Sequence, residues 1–90
     1  MFGVFTLVKE DEQLNLTLKQ IGERLAELRK EMGYTSYETF AYDHEIPRMQ
    51  YWRMEKGRVN ITVKSLLRIL DIHQISIADF FYSIRKKEKR

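Results

Sequence analysis

The chain contains no cysteine, one proline and four glycines in 90 residues. Without cysteine, neither a disulfide nor a thiolate metal site can form. Its two histidines stand apart from any cluster of carboxylates, so no metal and no other cofactor is expected. So few breakers leave little room for long loops. No run reaches the roughly 20 apolar residues that a membrane span needs. The apolar start, residues 1–8, lacks a basic flank and a small-residue cleavage site, which argues against a signal peptide. A cytoplasmic protein that does not engage a membrane is the expectation. There is no glycine-rich phosphate loop, and neither histidine adjoins a nucleophile and a carboxylate, so an enzyme is not expected. Repeats and low-complexity segments are absent as well.

What remains is a charged, helix-favouring chain. Ninety residues fit one domain with a modest core, which dimerisation would supplement. The formal net charge is only +3, but it is unevenly placed. Residues 85–90 carry five basic side chains and one acid. Residues 45–70 hold Arg48, Arg53, Lys56, Arg58, Lys64 and Arg68 against Glu45 and Glu55. The rest of the chain is therefore acidic. A positive field confined to the centre and the tail is what a phosphate-binding face requires. The tail by itself is read equally well as a solvated end.

The apolar spacing predicts five helices. Thr17-Leu18-Lys19-Gln20 has the form of a capping box, followed by Leu18, Ile21, Leu25, Leu28 and Met32 on one stripe and closed by Gly33. Thr35, Ser36 and Glu38 open a second helix with Phe40 and Ala41 as its buried pair, and 42–46 forms a turn. Thr62 caps a fourth helix with Val63, Leu66, Leu67 and Leu70 on one face. Ser76-Ile77-Ala78-Asp79 caps a fifth that runs through Phe80, Phe81 and Ile84. Residues 2–8 read as a strand or an apolar arm, and 9–13 as an exposed turn or linker. The expected organisation is an N-terminal arm over 1–16, a domain over 17–84 and a basic tail over 85–90.

The third helix, between Pro47 and Gly57, is the most informative. Proline suits a first helical turn, where its missing N–H costs nothing, and glycine suits the left-handed residue after a helix end. Tyr51 and Met54 lie three apart and can be buried together. Arg48, Trp52 and Arg53 then point elsewhere. A short helix that presents basic and aromatic side chains can enter a nucleic-acid groove. Exposed aromatics are too few for an RNA-stacking platform.

Two short helices, from about Ser36 and from about Pro47, joined by a tight turn and braced on both sides, have the layout of a helix-turn-helix. The carrying residues are Ile21-Gly22-Glu23-Arg24-Leu25 with Leu28-Arg29, then Phe40-Ala41, Ile46 and Glu55-Lys56-Gly57. Thr62, Leu66-Leu67 and Ile75-Ser76-Ile77-Ala78-Asp79-Phe80-Phe81 complete the set. Over residues 17–83 the sequence resembles the lambda-repressor/Cro (Xre) family of DNA-binding domains. The resemblance implies an all-α, five-helix lambda-repressor-like domain with a short N-terminal extension. It implies sequence-specific binding of double-stranded DNA, the recognition helix at about 47–56 in the major groove, and transcriptional regulation by a homodimer. A DNA binder of this kind would associate with the bacterial nucleoid.

The same resemblance implies roles for single residues. Arg48, Met49 and Arg53 match positions that face base edges. Arginine can donate two hydrogen bonds to guanine, and Met49 can meet a thymine methyl or pack partly into the core. Ser36 and Tyr37, and Arg58, Asn60 and Lys64, match positions that contact the DNA backbone. Arg29 and Glu55 match a pair expected to form a structural salt bridge. Trp52 either packs on the sugar-phosphate backbone or covers the core. His44 and His73 are expected to be structural. Tyr37 stands where many relatives carry glutamine, and Glu45 where many carry glycine. The dimer contact is expected over 75–84, with 1–8 as a second contribution. No small-molecule ligand is expected. The competing reading is a protein-interaction module of the same fold, an antitoxin-like protein or adaptor with weak or no DNA binding.

Overall fold

A computed structural model describes the backbone of residues 4–88 and the side chains of residues 9–87. Five helices follow in order: α1 (Val4–Glu31), α2 (Tyr37–Asp43), α3 (Arg48–Glu55), α4 (Val63–Ile72) and α5 (Ile77–Glu88). There is no strand among the described residues, and the fold is all-α. None of these helices is long and apolar enough to cross a membrane.

The largest departure from expectation is α1. The capping box at Thr17 is not a helix start, because the helix already runs from Val4. The Thr17 hydroxyl instead donates to the Gln13 carbonyl at 2.8 Å, one turn back. A threonine inside a helix satisfies itself this way, so its presence alone does not mark a boundary. Lys9, Glu10, Glu12 and Gln13, read as a linker, are straight-chain residues that lose little freedom in a helix. The strand expected over 2–8 is helix from Val4 onward, and residues 2 and 3 lie outside the described residues. So do the side chains of residues 1–8, on which the second dimer contact rested, and those of residues 88–90 in the tail. A helix of 28 residues is about 42 Å long, which accounts for the 49 Å long axis of the molecule.

The C-terminal half of α1 carries the core. Leu18, Ile21, Leu25 and Leu28 are buried against Phe40 and Ala41 of α2, Tyr51 and Met54 of α3, Leu66, Ile69 and Leu70 of α4, and Phe80 of α5. Met32, expected on this stripe, follows the last α1 residue and is exposed. In α4 the buried face is Leu66, Ile69 and Leu70, while Val63 and Leu67 face outward. Six of the ten α4 residues are aliphatic, so apolar spacing there does not choose a face. Phe81 is likewise exposed, whereas Phe80 is fully buried.

Serine and threonine caps open three of the helices. Ser36 Oγ accepts from the Glu38 and Thr39 amides, Thr62 Oγ1 from Ser65, and Ser76 Oγ from Asp79. Pro47 is the residue before α3 rather than part of its first turn. Because α2 extends to Asp43, the turn into α3 is shorter than the expected 42–46 segment.

Helices α1 to α4 all close in the same way. The residue after the cap is left-handed, and it and its successor donate backward to the last turn. Those left-handed residues are Gly33, Glu45, Gly57 and Gln74. At Gly57 the glycine is required twice. Its φ is +67°, and a Cβ there would stand 2.9 Å from the Lys19 Cα of α1. Gly22, within α1, has a different reason to lack a side chain. A Cβ on it would run into the backbone carbonyl oxygens of Met54 and Glu55. The end of α3 therefore lies directly on the α1 backbone.

Candidate nucleic-acid interface

The site is built from how α3 is held. Arg29 and Glu55, both buried, form a two-pronged ion pair: Nε donates to Oε2 at 2.7 Å and Nη2 to Oε1 at 3.1 Å. The third prong of the guanidinium, Nη1, donates to the Tyr34 carbonyl at 2.9 Å. One side chain thus ties α1, the link to α2 and the last turn of α3. Hydrogen bonding to Glu55 raises the Arg29 pKa further above its ordinary value. The buried Tyr51 hydroxyl has no hydrogen-bond partner. Burial, then the neighbouring Glu55 carboxylate, pushes its pKa well up, so the phenol stays neutral. Glu55 and Arg29 are therefore committed to the frame and are not available to a ligand.

Phe40 is the second fixing point. Its ring centroid lies 5.0 Å from Tyr51 of α3, 5.3 Å from Tyr34, 4.6 Å from His44 and 5.4 Å from His73. Both histidines thus pack on this ring, and the Nε2 atom of each is buried without a hydrogen-bond partner. Burial, followed by the proximity of His44, lowers the His73 pKa. The turn between α2 and α3 is fixed from α4. Arg68 Nη2 donates to the Glu45 carbonyl at 2.9 Å, while Glu45 itself holds a φ of +57°.

Against this frame α3 turns Arg48, Met49 and Arg53 outward. Met49 is 44 % exposed, which leaves it able to meet a ligand while part of its side chain is covered. Met49 and Arg53 are four residues apart and share a face. Arg48 approaches Glu38 of α2 at 3.5 Å, with both side chains more than half exposed. A pair so long and so wet contributes little and leaves the arginine free to exchange partners. Tyr37 is half-buried against the core, and the Ser36 oxygen is occupied as a cap, leaving its O–H as a donor. Arg58, Asn60 and Lys64 are exposed, in the loop after α3 and in the first turn of α4.

Trp52 does not match either expected role completely. It is half-buried, and its ring carries the Arg58 guanidinium 5.3 Å from the centroid. Sequence reasoning placed Arg58 among the backbone contacts without linking it to Trp52. The six-residue spacing spans a helix end, where no simple periodicity applies.

The surface of α3 and of the segment after it exposes the cations Arg48, Arg53, Lys56, Arg58 and Lys64, with Met49 exposed and Trp52 half-buried, while Glu38, Asp43 and Glu45 are exposed acids in α2 and the turn after it. It can donate charge-assisted hydrogen bonds to anionic oxygens and offer an apolar contact. Among the described residues, no three histidine, aspartate or glutamate side chains converge as a metal site. No protein-family model, curated protein or solved structure matches this chain.

Proposed function

We propose that this protein binds double-stranded DNA in a sequence-specific manner, as a small transcriptional regulator of the lambda-repressor/Cro (Xre) kind. The observation that carries the reading is the contrast within α3. Glu55, Tyr51 and Met54 are buried in the frame, while Arg48, Met49 and Arg53 are turned outward together. A rigid helix presenting arginines and one thioether suits a major groove, where arginine donates to guanine and an apolar group meets a thymine methyl. Ser36 and Tyr37 at the start of α2, and Arg58, Asn60 and Lys64 after α3, are the groups this reading assigns to phosphates. Ordered resemblance over 17–83 supports the same reading.

The protein acts as a homodimer in this proposal, with recognition helices entering successive major grooves about 34 Å apart. Residues 75–84 supply the contact. Ile77, Phe81 and Tyr82 are exposed large side chains in that segment, which supports a partner surface there. The working compartment is the cytoplasm, at the nucleoid.

A second reading is favoured by Glu38 and Glu45, two exposed acids on the side that DNA would approach. In it the fold serves as a protein-interaction module, antitoxin-like or adaptor-like. Charge reversal separates the two. Arg48→Glu with Arg53→Glu abolishes retention on duplex DNA if α3 reads the groove. An interaction module working through α5 keeps its partner and its oligomeric state in the same variant.

A further inference from the structure

The helix ends of this protein follow one rule with one exception. In the cap that closes α1 to α4, the residue after the left-handed one donates its N–H to a carbonyl five residues back. The donors are Tyr34 to Arg29, Ile46 to Ala41, Arg58 to Arg53 and Ile75 to Leu70, at 2.8–3.1 Å. That position commonly carries an apolar side chain packed on the preceding turn. Tyr34, Ile46 and Ile75 obey, and all three pack into or against the core. Arg58 breaks the rule, because a cation occupies the place of the apolar residue. Its guanidinium lies over Trp52, which sits in the turn where the apolar contact would be made.

We infer that Trp52 is a positioning residue, whose ring and the helix-end cap together hold the Arg58 guanidinium as a pre-set phosphate clamp at the end of α3. This rests on the DNA-binding reading above and deepens it. The backbone of Arg58 is fixed by its own N–H, 2.9 Å from the Arg53 carbonyl, and by the close seat of Gly57 on α1. Its side chain is held by the aromatic face. A guanidinium held over a ring by a cation–π contact spends none of its N–H groups on a hydrogen bond there, and these suit two oxygens of one phosphate. A free arginine loses rotamer entropy when it binds, and one already held loses less. The contact therefore raises affinity for any duplex, with no preference for sequence.

The test is a double-mutant cycle on binding to mixed-sequence duplex DNA at two salt concentrations, with thermal melts to verify folding. Trp52→Ala is expected to weaken binding about two- to fivefold, the range of a surface cation–π contact. In an Arg58→Ala background the same change is expected to cost nothing further. Trp52→Phe retains a ring and most of the affinity. Arg58→Lys keeps the charge but not the planar fork, and is expected to bind measurably more weakly than the parent while keeping the parent's salt slope. Arg58→Ala also lowers the salt slope by about one. Losses that multiply independently, or Arg58→Lys binding like the parent, overturn the inference while leaving DNA binding intact. A parent protein that binds no duplex at low salt removes the DNA-binding reading, and this inference falls with it. Arg58→Lys changes only an exposed side chain, so its result stands even if Trp52→Ala fails to fold.

Discussion

Glu55, in the last turn of α3, accepts two hydrogen bonds from Arg29 of α1, and both side chains are buried. Removing one partner strands the other charge without water. Arg29→Met is therefore expected to cost about 3–5 kcal/mol, whereas Arg29→Met with Glu55→Leu costs less than the two single changes combined. Urea denaturation of the four proteins checks both statements.

Gly22 reports the close seat of α3 on α1. A side chain there meets the Met54 and Glu55 carbonyls, which belong to a helix backbone and cannot swing aside. Gly22→Ala should destabilise by about 1–3 kcal/mol, the usual cost of overpacking, even though alanine is the better helix former. Gly33→Ala provides the contrast. Nothing stands within 4 Å of its added carbon, and only the φ of +96° opposes the change. Calorimetric melts of the two variants should reveal Gly22→Ala as the more damaging.

Glu45 adopts a left-handed backbone, at φ +57°, that a side chain disfavours. Glu45→Gly is expected to gain up to about 1 kcal/mol of stability, the relief of the left-handed strain less the entropy cost of glycine. It also removes a negative charge next to the basic face, so duplex binding should tighten, most visibly at low salt. A melt and a binding titration on one preparation measure both.

His73, packed on Phe40, predicts an acid-sensitive core. The His73 pKa is held below its ordinary value by burial and by His44. The unfolded chain therefore takes up this proton first as the pH falls. Stability contributed by neutral His73 is complete above the unfolded pKa of about 6.5 and is lost progressively below it. His73→Phe should flatten the fall in melting temperature between neutral pH and the onset of carboxylate titration. An unchanged profile would remove His73 as its cause.

Much of this was legible in the sequence, for reasons that differ by element. Caps at Ser36, Thr62 and Ser76 and stops at Gly33 and Gly57 are local signals, and they locate helices α2, α4 and α5 and the ends of α1 and α3. Phe40, Ala41, Tyr51 and Met54 were legible because their spacing is unambiguous. Thr17 misled because a cap and an interior threonine look alike until the backbone is seen. The orientation of α4 was hidden by its excess of aliphatic residues. Gln74 holds a left-handed backbone without being glycine, and the Trp52–Arg58 contact crosses a helix end. Both depend on cap geometry, which composition does not encode.

Selection from a random duplex DNA pool at two salt concentrations, with sequencing of the bound fraction, tests the central claim most directly. The account predicts an enriched palindrome whose half-sites lie one helical turn apart, with affinity that falls as salt rises. Salt-sensitive retention with no enriched sequence would contradict sequence-specific recognition by Arg48, Met49 and Arg53. Absence of binding at low salt would contradict DNA binding altogether and direct attention to a protein partner.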